Sequence, residues 1–373
     1  MSDLEKKLTT ALDAERTQQL EAENRKLQGE ARKLRERNRR LQDQTLEIGE
    51  LKRILGVAAD HDPDPPGWLR ESKRGAWKHG TPTLNLTDLH WGEIVYREQV
   101  NGVNEYNHEI ARARLHRVFD TTLALLFDCI AAPDYPGITV NLLGDIVCGY
   151  IHDELKENAS LRLFPSAFDA RDCLIAGIDM LKRELPHVFV VGVVGNHGRL
   201  DEKPRHKWAV VDNVDWLVYT LLQEHYQGDP KVTVKVPAAT SYQYRIYGTR
   251  YYLDHGNDMR GGSGISGAAT PWAIGDYRTR TVQDALDLPF DTRIFGHWHQ
   301  SAWGIGDIYM ACGTLKGYDE FAKDKKYRFE RPNQPLFLTH WEHGMTFRWK
   351  VYGDEPADRP RYEWVSIPEQ EAT

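Results

Sequence analysis

The chain has 373 residues, 40% of them hydrophobic and 28% charged, with a formal net charge of -7, a balance that speaks against disorder throughout and against generic electrostatic binding of nucleic acid. Its four cysteines, Cys129, Cys148, Cys173 and Cys312, are scattered with no Cys-x-x-Cys pair, so any metal must be held by nitrogen and oxygen. No run approaches the roughly 18 apolar residues that span a bilayer, and the N-terminus MSDLEKKLTT has charge where a secretory signal is apolar, so a cytoplasmic protein with no membrane partner is expected.

Residues 1–57 read as a helical coiled coil. The segment lacks proline, and Leu20, Leu27, Leu34, Leu41 and Ile48 recur every seventh residue. With those residues at d, the a positions are Asn24, Ala31, Asn38 and Thr45, and asparagine at a fixes register and low oligomer number. The spacing predicts a homo-oligomer formed through residues 20–48, a parallel pair or a trimer. The alternative is one amphipathic helix folded back on the globular domain. The basic stretch ARKLRERNRRLQ could touch an acidic partner, but its arginines lie inside the heptads, unlike those of a basic zipper.

Residues 58–80 contain HDPDPPGW, whose prolines stop a helix and suit an extended linker. A domain is expected over residues 81–370, where strand-like runs alternate with helical ones in the manner of an α/β fold. TPTLNLTDLH reads as a strand, HEIARARLHRVFDTTLALLFDCI as a helix, GITVNLLGD as a strand and PSAFDARDCLIAGIDMLKREL as a helix. HVFVVGVVGNH reads as a strand and KWAVVDNVDWLVYTLLQEHY as a helix. After Gly228 the balance shifts to β, with VTVKV, a hairpin around Tyr247 and Gly248, RIFGHWH, PLFLTHW and TFRWKVY.

Donors suited to metal gather at the carboxyl ends of successive strands, where open α/β sheets collect ligands. They are Asp88 and His90 in TDLHWGE, Asp145 in LLGDIV, Asn196 with His197 in VVGNHGR, His255 in YYLDHGND, and His297 with His299 in IFGHWHQ. Each fragment alone reads equally well as a turn or cap. Five strand ends carrying Asp, Asn and His are not explained by turn chemistry, and such groups are expensive to bury without a cation.

This order of Asp-x-His, Gly-Asp, Gly-Asn-His, His and Gly-His-x-His resembles the calcineurin-like metallophosphoesterase superfamily, over roughly residues 81–345. GNHGRLDEKPR and GTLKGYDEFA are similar to stretches in phage and bacterial DNA-repair-exonuclease-like members. The resemblance implies a two-sheet sandwich flanked by helices, with two divalent metal ions, manganese first and iron or zinc as alternatives. It implies that Asp88, His90 and His299 hold one ion and Asn196, His255 and His297 the other, with Asp145 bridging. A hydroxide between the ions would attack phosphorus, and His197 would protonate the leaving oxygen.

Two departures stand out. Gly198 replaces the acidic residue that often follows Gly-Asn-His, removing an orienting partner for His197 and leaving Asp201 as the nearest substitute in sequence. IVCGY after the Gly-Asp disfavours a Ser/Thr protein phosphatase. His152, Arg199, Lys203 and Arg205 are candidate substrate contacts, the arginines through a bidentate grip on phosphate, while a solvated basic loop explains the last three equally well. GGSGISG reads as a loop over the cleft or a plain connection, and Trp91, Trp298 and Tyr318 as wall or base-stacking residues. The expected activity is hydrolysis of phosphodiesters, with nucleic acid as substrate and partner. The alternatives are a phosphomonoesterase, a cyclic-nucleotide phosphodiesterase, and an inactive coiled-coil adaptor.

Overall fold

The computed structural model describes residues 64–69, 80–201, 203–259 and 269–355. The heptads of residues 20–48 and the GGSGISG segment lie outside them. Contacts divide the chain into Met1–Asp60 and His61–Thr373, and all described residues belong to the second unit.

A six-stranded sheet is built from β1 (Thr81–Leu86), β2 (Ile138–Leu142), β3 (Val188–Gly192), β4 (Val232–Lys235), β10 (Asn333–His340) and β11 (Gly344–Tyr352), in the order β11-β10-β1-β2-β3-β4. Strands β1 to β4 run parallel, and the β10-β11 hairpin closes one edge antiparallel to β1. The second sheet has five strands in the order β5-β6-β7-β9-β8: β5 (Tyr242–Ile246), β6 (Thr249–Leu253), β7 (Thr292–Phe295), β8 (Ala302–Trp303) and β9 (Tyr309–Ala311).

Period-two alternation decides how these layers stack. Leu84, Leu86, Val140, Leu142, Val188 and Val190 face α1 (His108–Phe127), α3 (Leu163–Glu184) and α4 (Val214–His225) in one apolar core. Phe189 and Val191 point the opposite way and meet Tyr244, Ile246, Tyr251, Leu253, Ile294 and Phe337 between the sheets. Each such fully buried side chain contributes roughly 1.5–3 kcal/mol. Helix α5 (Ala269–Ala285) covers the outer face of the second sheet, where Trp272 packs on Phe295 and Ala311. The result is the mixed α/β sandwich of two sheets and flanking helices that the sequence calls for.

Several local expectations change. The helix read from Lys207 begins only at Val214, because Asn213 caps it by accepting the N–H of Asp215 at 2.8 Å. Helix α5 was not foreseen: Pro271 and Gly275 lie within it, and it has no strong apolar periodicity. Part of the stretch expected as an extended linker is docked: Gly67–Leu69 forms a 3-10 turn, Leu69 is fully buried between the sheets, and its carbonyl accepts the N–H of Tyr247.

Candidate metal centre

Parallel strands end on the same edge of a sheet, so the turns after β1, β2 and β3 place Asp88, Asp145 and Asn196 side by side. In the second sheet β6 and β7 are also parallel, and the turns after them deliver His255, His297 and His299 to the same edge. Three constellations result, in each of which one donor atom per residue lies within 4.8 Å of the others: Asp88, His90 and His299; Asp145, His255 and His297; and His90, Asp145 and His197.

The backbone is strained where these side chains emerge. Asp88, His90, Asp145, His297 and His299 all have positive φ, between 48° and 68°, a region costing roughly 1–2 kcal/mol for a residue with a Cβ. Neighbouring glycines permit the crowding: a Cβ on Gly195 would lie 2.1 Å from Asp145 Oδ1, and one on Gly296 2.5 Å from Asp88 Oδ2. Five strained residues in three turns that converge on one cleft are expected at a functional site.

Hydrogen bonds then aim individual atoms. Asp88 Oδ2 accepts from the His297 N–H and the Thr87 hydroxyl, both at 2.8 Å, while Oδ1 lies 3.2 Å from His299 Nε2. His90 Nε2 and His299 Nε2 stand 3.1 Å apart. His255 Nδ1 contacts the Leu143 carbonyl at 2.6 Å; a carbonyl only accepts, so Nδ1 carries the proton and Nε2, 2.9 Å from Asp145 Oδ2, is the ligating atom. Asp145 Oδ1 accepts the N–H of His197 at 2.7 Å.

Asn196 Oδ1 finds no hydrogen-bond partner among the described residues, and Asp88 Oδ1 meets only imidazole, 3.2 Å from His299 Nε2. Buried polar atoms are rarely left so, and both oxygens are suited to a cation. The donor set of carboxylate, amide and imidazole without a thiolate fits manganese, iron or zinc, and burial pushes the nearby Cys148 thiol up to about 12. The residues present therefore fit a pair of divalent ions.

Electrostatics follow from the crowding. Burial works against a charged His255, but the Asp145 carboxylate outweighs it and lifts the imidazole to about 10. Burial and Lys316 oppose a proton on His90; Glu93 and Asp88 overcome them and lift it to about 9. Asp88 and Asp145 stay well below the usual carboxylate range, since their histidine neighbours outweigh burial. Burial lowers His297 to about 3 and His197 to about 4.

His197 is oriented by main chain. Its Nδ1 lies 2.8 Å from the Cys148 carbonyl, which fixes the proton there and turns Nε2 toward the site. Asp201, the expected substitute for an acidic residue at 198, instead pairs with Arg205 at 2.8 Å. This corrects the sequence expectation: a carbonyl brought close by the turn at Gly149 performs the task, and a carbonyl leaves no signal in side-chain identity.

Three supporting residues escaped the sequence reading. Asp215, fully buried at the start of α4, accepts the N–H groups of Asp145 (2.9 Å), Ile146 (3.0 Å) and Gly195 (2.9 Å), tying two donor-bearing turns together. Glu93 places Oε2 3.1 Å from His90 Nδ1. Lys316 bridges Glu93 at 2.8 Å and Asp319 at 2.5 Å. Asp145 and Asp215 are 70 positions apart and Glu93 and Lys316 223 apart, and no periodic signal links such pairs.

The donors open into a cleft of about 1220 Å³. His152 lines it, with its ring centroid 6.0 Å from that of His197, and so do Trp298 and Tyr318. Arg199, Lys203 and Arg205 are not among its lining residues. Arg199 donates to the carbonyls of Asn196 and Asp201 at 3.2 and 3.1 Å. Trp91 cannot stack a base: it is fully buried, and its Nε1 donates to Asp169 at 2.7 Å. Among the described residues no helix is long and apolar enough to cross a membrane.

No family model and no curated protein matches the chain. Vps29 complexed with zinc from Entamoeba histolytica is similar over 72% of this chain and 99% of that one, at 12% identity and a TM-score of 0.28. A predicted phosphoesterase from Streptococcus pneumoniae is similar over 72% and 97%, at 9% identity and 0.28. An archaeal phosphodiesterase is similar over 72% and 99%, at 10% identity and 0.30. At such scores the likeness decides nothing about activity.

Proposed function

We propose that this chain is a metal-dependent hydrolase of phosphodiester bonds, acting on nucleic acid or its nucleotides. The observation that carries this reading is the convergence of Asp88, His90 and His299 and of Asp145, His255 and His297, each group with donor atoms within 4.8 Å of one another, beside a buried Asn196 Oδ1 that has no hydrogen-bond partner among the described residues. Asp88, His90 and His299 would hold one cation, Asn196, His255 and His297 the other, and Asp145 lies within reach of both groups. Two divalent cations held there, manganese first, would supply an activated water and would draw charge from the nonbridging phosphate oxygens.

The chain's own residues do the rest. The Leu143 carbonyl holds a proton on His255 Nδ1, which leaves Nε2 as the nitrogen that would ligate once its own proton is released. His197 presents Nε2 to the cleft, where a proton taken up from solvent on that nitrogen would pass to the leaving oxygen as its bond to phosphorus breaks. The two-sheet sandwich is the architecture that the motif resemblance calls for. Residues 20–48 are proposed to join copies of the chain through their heptads.

The test is to strip the protein with chelator, restore Mn²⁺, and assay bis(4-nitrophenyl) phosphate, 4-nitrophenyl phosphate, a cyclic nucleotide and linear DNA. Metal-restored turnover of the diester supports the reading. Turnover of the monoester alone makes the chain a phosphatase, and none on any ester removes the catalytic reading.

A further inference from the structure

The cleft that holds the metal donors is also lined by Ile94, Tyr96 and Gln99 and by α6 (Glu320–Asp324) with the segment after it. Three aromatic rings on this wall remain open to solvent: Phe321 is 60% exposed, Tyr327 45% and Tyr96 37%. Phe321 and Tyr327 form a T-shaped pair with centroids 5.9 Å apart. Apolar rings left exposed inside a cleft, where a ligand can cover them, mark a recognition surface.

The wall is fastened to the metal centre. Asp319 caps α6 by accepting the Ala322 N–H at 2.7 Å and pairs with Lys316, which pairs with Glu93, which reaches His90. Phe321 follows Asp319 by two residues, a span of at most about 7 Å. On the other side the Tyr96 N–H donates to Glu320 at 2.8 Å, and Lys323 donates to the Gln99 carbonyl. The backbone that carries Phe321 and Tyr96 is therefore tied to the donors.

Charge decides what the rings receive. Asp153, Glu154, Glu320 and Asp324 line the same cleft, Asp153 paired with Lys156 and Asp324 with Lys325, while of the lining cations Lys316 is held between Glu93 and Asp319 and Arg328 follows Tyr327. Carboxylates outnumber cations in this lining, which disfavours further phosphates beyond the one at the metals. A neutral flat group is favoured, and exposed Gln99 offers an amide to its edge.

We infer that Phe321, Tyr327 and Tyr96 form a stacking subsite for one nucleobase, so that the substrate is a nucleoside phosphodiester gripped by its base and its scissile phosphate. This rests on the phosphodiesterase reading for the phosphate half only. Stacking on an aromatic side chain accounts for about tenfold in affinity per base.

The test is calorimetry on the full chain loaded with Mn²⁺, comparing thymidine 5′-monophosphate, 2-deoxyribose 5-phosphate and free thymidine in wild type, Phe321→Ala, Tyr327→Ala and Phe321→Trp. The nucleotide is expected to bind about tenfold more tightly than the sugar phosphate, the alanine variants to remove that difference, and tryptophan to restore it. Equal affinities for nucleotide and sugar phosphate in wild type overturn the subsite even if diesters are hydrolysed. Binding of thymidine that Phe321→Ala abolishes, in a protein that hydrolyses no ester, leaves the subsite standing and removes the catalytic reading.

Discussion

The carboxylate of Asp215 accepts the backbone N–H of Asp145 at 2.9 Å, and its hold on Ile146 and Gly195 makes it the clamp between the two turns that carry Asp145 and Asn196. Burial, and then the charge of Asp145, push Asp215 up to about 6. Asp215→Ala leaves three buried N–H groups unpaired, each worth roughly 1–3 kcal/mol. A loss of about 3 kcal/mol or more in urea unfolding is expected, together with weaker metal binding, and Asp215→Asn, which keeps one oxygen, loses less. Wild-type stability and metal affinity in Asp215→Ala would show that the turns hold themselves.

Metal binding depends on pH in a direction set by two histidines. In the metal-free fold His255 is lifted to about 10 and His90 to about 9, above the 6.5 of an unfolded chain. Both therefore add stability that is full below about 6.5 and lost as pH rises through 9 and 10. A cation needs the same nitrogens bare, so it binds with proton release and more tightly as pH rises from 6 toward 9. Calorimetry at pH 7.5 in buffers of different ionisation enthalpy counts those protons. Release of none contradicts this assignment of charge.

Glu93→Gln removes the carboxylate beside His90 Nδ1 but leaves Lys316 its contact with Asp319. The fold is expected to survive while metal affinity drops about 10- to 100-fold, the usual effect of losing a ligand's supporting partner. Competition against a fluorescent chelator measures it, and an unchanged affinity would make Glu93 a partner of Lys316 alone.

Salt dependence separates a small substrate from a bound backbone. Since Arg199, Lys203 and Arg205 are not in the cleft lining and carboxylates surround it, few phosphates can be neutralised. The slope of log kcat/KM against log salt on an oligonucleotide is expected at about -1 or shallower, whereas a slope near -4 would reveal a track of phosphate contacts.

The sheet strands and the three long helices α1, α3 and α4 were legible because apolar periodicity and flanking turn residues agree there, as in Ile138–Leu142 and Leu163–Glu184. Asp88, Asp145 and His297 were legible as candidate donors only together, because each alone suits a turn while acid and imidazole recur at five strand ends. Asp215 was not, since a carboxylate in a helix's first turn looks like a cap. The Cys148 carbonyl that orients His197 was invisible for a different reason: every residue has one. The heptads of residues 20–48 fall outside the described residues, so removing residues 1–57 and measuring mass by light scattering tests them. Loss of oligomer with small-diester turnover intact is the expected outcome.

The measurement closest to the central claim is the metal content per chain of purified protein reloaded with Mn²⁺, alongside Asp145→Asn. Two ions per wild-type chain, with at least one lost in the variant, is what a carboxylate shared between two cation groups predicts. A wild-type chain that retains no transition metal after loading would contradict it outright.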